Sequence, residues 1–200
     1  MNAADLERSL ALSLTWRKNE LQQARFLAEE SNENSRPYLC RAWTLVMYAH
    51  CDQYIKELSK SYLDYLKDNP RDSYDYWGIW QAFRAKELML NASDGLVFDS
   101  VLRPRDNDKS QLIEAIAHKT VLESGSFKYE RLRFTTNLVL QINFECVEYK
   151  GFCTTLKIKR DEIAHGEQSY INDVGDCIAW HGPTLSLLDD LTNAVLEIAA

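Results

Sequence analysis

The feature that most constrains the fold is one long segment that is apolar on nearly every face of a helix. It begins after Pro37, is densest from Leu39 to Ile55, and continues to Leu66. Proline is tolerated in the first turn of a helix, where its missing N–H would have no partner. A helix that is apolar on most faces is packed by several neighbours. The segment therefore predicts a central helix that ends near Asn69.

The rest of the chain also favours helices. Its 200 residues include only 7 Gly and 4 Pro, which is few for the many turns of an all-β fold. A first helix is predicted over about residues 4–30, with Arg17 on the polar side of its apolar stripe. Further helices are predicted over 136–149, 152–165 and 184–198, with Gly166 as the left-handed residue past a helix end.

The segment near residues 70–110 is predicted to be a surface insertion. It is rich in aromatic residues from Tyr74 to Phe83, and its later part holds Gly95, Pro104 and a charged run. Such composition is typical of loops rather than of core helices. Packing in the core or at an interface is the simpler explanation for these aromatic residues, and stacking on nucleic-acid bases is the alternative.

Composition predicts a single globular domain over residues 1–200. Hydrophobic residues make up 46% and charged residues 26%, and no segment resembles a secretory signal or a membrane span. We therefore expect a cytoplasmic protein with no membrane partner. The five cysteines form no close pair, which favours buried, reduced thiols.

Several common chemistries lack their usual sequence patterns. The four histidines never occur at the spacing of helical metal ligands, and no phosphate-binding glycine loop or nucleophile elbow occurs. We therefore expect no metal and no cofactor. The net charge of −7 has the wrong sign for coating nucleic acid, so action on RNA requires a local basic patch, and the acidic remainder suits a basic partner.

The strongest candidate site is the segment from Lys157 to Glu167, in which Arg160 and His165 are separated by four residues. Histidine exchanges protons near neutral pH, and the guanidinium of arginine binds phosphate oxygens. The two groups suit the attack of an RNA 2′-hydroxyl on its own phosphate, which needs no metal. A histidine at a helix C-terminus is favoured as a cation, which suits a general acid.

Five residues along a helix correspond to about 140° around its axis. Arg160 and His165 of one chain therefore do not share a helical face. Either the helix ends between them or two chains complete the site. Lys157 and Lys159 flank the motif and are candidates for binding RNA phosphates, although lysines on a solvated helix face are equally expected there.

These residues resemble the Arg-x4-His motif of the HEPN superfamily, a group of helical domains that includes many RNA-cutting toxins. The segments Arg41–Glu57 and Thr135–Leu138 also look like elements of a defence-associated HEPN branch, and the likeness spans roughly residues 5 to 170. The resemblance implies an all-α HEPN-like bundle of about five core helices. It also implies RNA as substrate, a homodimer with a composite site, and an antitoxin or defence-system partner protein.

Two positions depart from the superfamily pattern. Asp161 stands where many active members have asparagine, and Glu167 stands where some toxins have a tyrosine that an antitoxin modifies. An acid at position 161 still suits orienting His165, but it places negative charge beside a phosphate site. The alternatives are therefore a non-catalytic HEPN-like module that binds a partner protein or nucleotide, and a helical scaffold without a site.

Asp52 is the remaining candidate for a supporting role. It lies in the central helix among apolar residues, and a buried acid needs a partner, for which arginine is the natural choice. One hypothesis is that Asp52 holds Arg160 or Arg41 in place. The alternative, a surface-facing acid, is equally compatible with the sequence.

Overall fold

The computed structural model describes residues 1–79, 113, 127–167 and 171–200, and all regular secondary structure within them is helical. The prediction of an all-α fold is confirmed. Four long helices dominate this part of the chain. They are α1 (Ala3–Glu29), α2 (Arg36–Asp68), α4 (Lys150–Ala164) and α5 (Val174–Ala199).

A shorter helical stretch precedes α4. Helix α3 (Tyr129–Arg133) runs directly into π-helical turns (Phe134–Leu140), and a 3₁₀ turn (Cys146–Tyr149) leads into α4. No helix in the described ranges is both long enough and apolar enough to span a membrane.

Helix α2 is the central element, as its sequence predicts. It packs against α1, α4 and α5, with Ser35 at its N-cap and Asn69 at its C-cap. Trp43 and Tyr54 are completely buried in it, and the Tyr54 hydroxyl is hydrogen-bonded to a threonine of α5. Burying one large apolar side chain contributes about 1.5–3 kcal/mol to the free energy of folding. The buried side chains of α2 therefore contribute much of the stability of the bundle.

Two predicted helix boundaries were wrong. The predicted helix over 136–149 is interrupted at Gln141, which has a left-handed φ of 51° and ends the π-helical turns. The last helix, predicted over 184–198, instead begins at Val174, so Gly175, Gly182 and Pro183 lie in the first part of α5.

Helix α5 starts early because of its cap and its packing. Asp173 and Asp176 form a capping box at its start. Cys177 and His181 then face the core, where His181 lies edge-on to Trp43 at 5.3 Å between ring centroids. Burial of this first stretch offsets the cost of proline and glycine within the helix.

The predicted insertion falls largely outside the described residues, which omit 80–112 and 114–126. Three of its aromatic residues are described, of which Trp77 is partly buried against the core. Tyr74 and Tyr76 are buried, and the Tyr74 hydroxyl donates to the Val139 carbonyl. At this end, then, the aromatic segment serves packing. All five cysteines are buried and reduced, as expected, and burial raises the pKa of Cys153 to about 12.

Candidate functional site

The candidate site lies at the C-terminal end of α4. Cys153 and Leu156 are buried on one face of this helix, and His165 is its C-cap. Gly166 has a φ of +70°, and its N–H donates to the Ile163 carbonyl while the N–H of Glu167 donates to the Glu162 carbonyl. This pair of bonds is a Schellman motif, which satisfies carbonyls that the helix end leaves open. The prediction that Gly166 follows the helix end is confirmed.

Arg160 is half-buried and lies against α2. Its guanidinium carbon is 5.1 Å from the centre of the Tyr48 ring, and its side chain is 38% exposed. Tyr48 is itself 6% exposed and is held edge-on by Phe127. A guanidinium that stacks on an aromatic face keeps its N–H groups, which lie in the plane, available to bind an anion. Tyr48 therefore helps to hold the guanidinium of Arg160 beside α2.

Asp161 contacts the motif arginine directly. Its carboxylate accepts a hydrogen bond of 3.0 Å from Arg160 Nη1 and another from Lys157 Nζ. The Lys157 bond is the main effect that holds the pKa of Asp161 below its usual value; burial opposes it, and the Arg160 bond adds to the lowering. In this structure the acid thus neutralises Arg160, and its carboxylate makes no contact with His165 among the described residues.

The two candidate phosphate-binding lysines are both engaged within α4. Lys157 is paired with Asp161, and Lys159 Nζ is 2.9 Å from a carboxylate oxygen of Glu162. Lys157, Lys159 and Arg160 carry three positive charges, and Asp161 and Glu162 carry two negative charges. This stretch of α4 therefore has one net positive charge. The basic patch is weaker than the lysines alone indicate.

Asp52 does not hold either arginine. Its carboxylate is 2.6 Å from Lys56 Nζ, one turn along α2. Arg41 lies over the ring of Tyr38 at 4.9 Å, and Arg160 is paired with Asp161. The expected ion pair of Asp52 with Arg41 or Arg160 is therefore absent from this part of the chain, because a lysine at i+4 satisfies the acid locally.

No side-chain hydrogen bond joins Arg160 and His165 of one chain among the described residues. Helix α4 continues to Ala164, so the helix persists almost to the histidine. Arg160 faces Tyr48 on α2, whereas His165 is exposed at the helix end. Of the two possibilities left open by the spacing, an early end of the helix is therefore not observed.

A second polar cluster lies between α1 and α2, where the sequence analysis predicts no functional site. Arg17, predicted to face solvent, is only 2% exposed. Its Nε, Nη1 and Nη2 atoms are 3.3 Å from Ser13 Oγ, 3.1 Å from His50 Nδ1 and 2.5 Å from Glu57 Oε2. On the far side of the imidazole, His50 Nε2 is 2.9 Å from a carboxylate oxygen of Glu20.

This buried cluster requires a neutral histidine. Arg17 donates to His50 Nδ1, so the ring proton must be on Nε2, towards Glu20. Burial and then the Arg17 charge lower the pKa of His50, and Glu20 partly opposes them. The cluster stabilises the packing of α1 on α2 and is not a catalytic arrangement, since every nitrogen of its arginine is already bound to protein.

The lowered pKa predicts a pH-dependent stability. The unfolded chain takes up a proton at His50 near pH 6.5, and the folded chain does so only at lower pH. The contribution of the neutral ring is therefore present above pH 6.5 and is lost as pH falls from 6.5 through the folded pKa. The free energy of unfolding is expected to fall by up to about 1.4 kcal/mol per pH unit in that range.

Urea denaturation between pH 7.5 and 5 measures this slope, with His50→Gln as the comparison. Glutamine keeps an acceptor for Arg17 and a donor for Glu20, but it does not titrate. The slope of the variant is expected to be shallower. The remaining slope includes His181, whose pKa burial also lowers; equal slopes in both proteins contradict the prediction.

The comparisons with known proteins identify the family. The model of the MAE_28990-like HEPN family matches residues 6–200, so the chain belongs to the HEPN superfamily, as its motif and central helix indicated. No curated protein and no solved structure matches the chain. The superfamily includes ribonucleases.

Proposed function

We propose that the protein is a metal-independent endoribonuclease of the cytoplasm, acting as a toxin or antiphage-defence effector. What most supports this is the motif helix of a HEPN chain. It presents a guanidinium stacked on Tyr48 one turn before an exposed histidine at the helix end. The guanidinium suits the charge that develops on a phosphate, and the exposed imidazole is free to meet substrate.

The proposed reaction transfers phosphorus from one oxygen of RNA to another. The 2′-oxygen attacks phosphorus and its proton passes to water, while Arg160 stabilises the added negative charge. The bond between phosphorus and the 5′-oxygen breaks, and His165 protonates the departing 5′-oxygen. The products are a 2′,3′-cyclic phosphate and a 5′-hydroxyl, and the protein ends with His165 ready to be protonated again.

The site is proposed to be composite. Arg160 and His165 of one chain are separated by about 140° around the helix axis, so the arginine of one chain would meet the histidine of a second chain in a symmetric homodimer. Residues on the outer side of α4 suit such a contact. Gly151, Thr154 and Thr155 are small and exposed, and Ile158 is 50% exposed despite being apolar.

The proposal is tested by incubating purified protein with total tRNA and a structured messenger RNA in excess EDTA. Cleavage with cyclic-phosphate ends, by wild type and by the surface control Glu167→Gln, is the expected result. Failure of an Arg160→Ala, His165→Ala double variant to cleave, with unchanged circular dichroism, attributes the activity to the motif. Equal cleavage by the double variant shows a contaminant and overturns the proposal.

One observation favours a second candidate, a non-catalytic HEPN module that binds a partner protein or nucleotide. The carboxylate of Asp161 occupies Arg160 at 3.0 Å, in the place that a phosphate oxygen would take. If the arginine serves to organise α4, this internal ion pair is its function and no RNA is cleaved.

Asp161→Asn separates the two candidates. For an enzyme, loss of the carboxylate frees Arg160 and Lys157, and we expect the cleavage rate to rise about two- to fivefold, since an exposed ion pair is worth up to ~1 kcal/mol. Glu162→Gln is the matched control, because it removes the same charge from a neighbouring residue whose partner is Lys159. A slower Asp161→Asn enzyme contradicts the prediction, and no cleavage by any variant favours the binding module.

A further inference from the structure

A long stripe of residues on α1 faces solvent. It consists of seven residues spaced three or four apart, namely Arg8, Leu12, Trp16, Asn19, Gln23, Phe26 and Glu30, and all of them are exposed. Leu12, Trp16 and Phe26 are 67%, 49% and 58% exposed. The opposite face of the helix is buried against α2 and α5. Spacings of three and four residues are typical of a helix face that packs on another helix.

The order of residues along the stripe is complementary to itself in the antiparallel direction. Leu12 and Phe26 each lie seven residues from Asn19, and Arg8 and Glu30 each lie eleven residues from it. An antiparallel copy centred on Asn19 therefore places Leu12 against Phe26 and Arg8 against Glu30, each of them twice. A parallel copy instead places Arg8 against Arg8 and Glu30 against Glu30, which is repulsive.

Both ends of the stripe are free to make these pairs. No ion pair or side-chain hydrogen bond within the described chain involves Arg8 or Glu30, whereas the neighbouring Arg25 and Glu29 are paired with each other. At the centre, Asn19 meets Asn19, and a polar residue within such a seam fixes its register.

We propose that this stripe is a self-association surface, on which α1 of a second copy packs antiparallel about a two-fold axis at Asn19. It is separate from the proposed composite site. His50 of α2 faces α1, while Tyr48, two positions and about 200° away, faces Arg160 of α4. Contact through α1 therefore does not bring two motif helices together, and the proposal does not depend on ribonuclease activity.

Charge reversal tests the direction of pairing. By sedimentation velocity, Arg8→Glu and Glu30→Arg are each expected to weaken association on the order of tenfold, because each creates two like-charge contacts. The double variant restores both pairs in reversed order and is expected to return to within about threefold of wild type. Glu7→Arg is the matched control, since Glu7 is exposed on α1 outside the stripe.

Two further variants test the apolar contact and the position of the two-fold axis. Phe26→Glu is expected to weaken association about a hundredfold, with little change in melting temperature because the side chain is exposed. Asn19→Cys is expected to form a disulfide-linked dimer on mild oxidation, with no competition from the five native cysteines, which are buried. An unchanged association state in Arg8→Glu and Phe26→Glu overturns the proposal, as does loss of association in the double charge reversal.

Discussion

His165→Ala and Arg160→Ala are each expected to lose RNA cleavage by about a thousandfold, and co-expression of the two chains is expected to restore about a quarter of the wild-type rate. Each variant removes one of the two groups on which the proposed reaction depends. In a mixed dimer, however, the arginine of one chain meets the intact histidine of the other. Half of randomly formed dimers are mixed, and each has one intact site of two.

The measurement is the cleavage rate of differently tagged chains, co-expressed and purified through both tags so that only mixed dimers remain. That preparation is expected to reach about half of the wild-type rate. The matched control is a mixed dimer of His165→Ala with a chain that carries both substitutions, which has no intact site. Cleavage by the purified single variants contradicts a site in which each chain supplies one of the two groups. Absence of cleavage by the mixed dimer, under conditions in which wild type cleaves, also contradicts it.

The end of the motif helix could be predicted from the sequence because its signals are local. Gly166 takes the left-handed conformation that a Schellman motif requires, and glycine at such a position is favoured irrespective of the rest of the fold. The central position of α2 was equally predictable, since a helix apolar on most faces needs neighbours on most faces.

The surroundings of the motif could not be predicted, because they depend on contacts between distant segments. The sequence does not show that Arg160 lies over Tyr48, 112 positions earlier. The sequence also suggests Arg160 or Arg41 as the partner of Asp52, whereas Lys56, one turn away, pairs with that acid and Arg131 is the arginine that its charge affects. Pairs within one helix are visible in the spacing, but the choice between a near and a distant partner is made by packing.

Arg17 illustrates the same limit in the core. The leucines of α1 define its apolar stripe, and the sequence analysis predicts that Arg17, which lies between them, faces solvent. The structure shows that Arg17 is inside, because Ser13, His50 and Glu57 together bind every nitrogen of the guanidinium. Arg17 lies seven residues after Leu10 and four before Leu21, so its spacing places it on the buried stripe. Only one of its three partners lies on α1, however, so the spacing in that segment does not identify the polar groups that bind it.

Arg17→Ala is expected to lower the free energy of unfolding by about 2–3 kcal/mol, below the range for a fully buried ion pair because the Glu57 side chain is 39% exposed. The change leaves Glu57 and His50 without their shared donor at the interface of α1 and α2. It also removes the cation that lies 4.6 Å from the Trp16 ring and 5.5 Å from the Tyr54 ring. Chemical denaturation at pH 7.5 measures the loss.

Two controls separate charge from volume. Lys18→Ala removes a neighbouring cation whose pair with Asp189 is more than one-third exposed on both sides, and it is expected to cost no more than about 1 kcal/mol. Arg17→Met with Glu57→Gln keeps most of the volume and removes both charges of the pair, so we expect it to recover a large part of the loss. If Arg17→Ala costs no more than Lys18→Ala, the cluster does not hold α1 on α2, and the leucine stripe alone is sufficient.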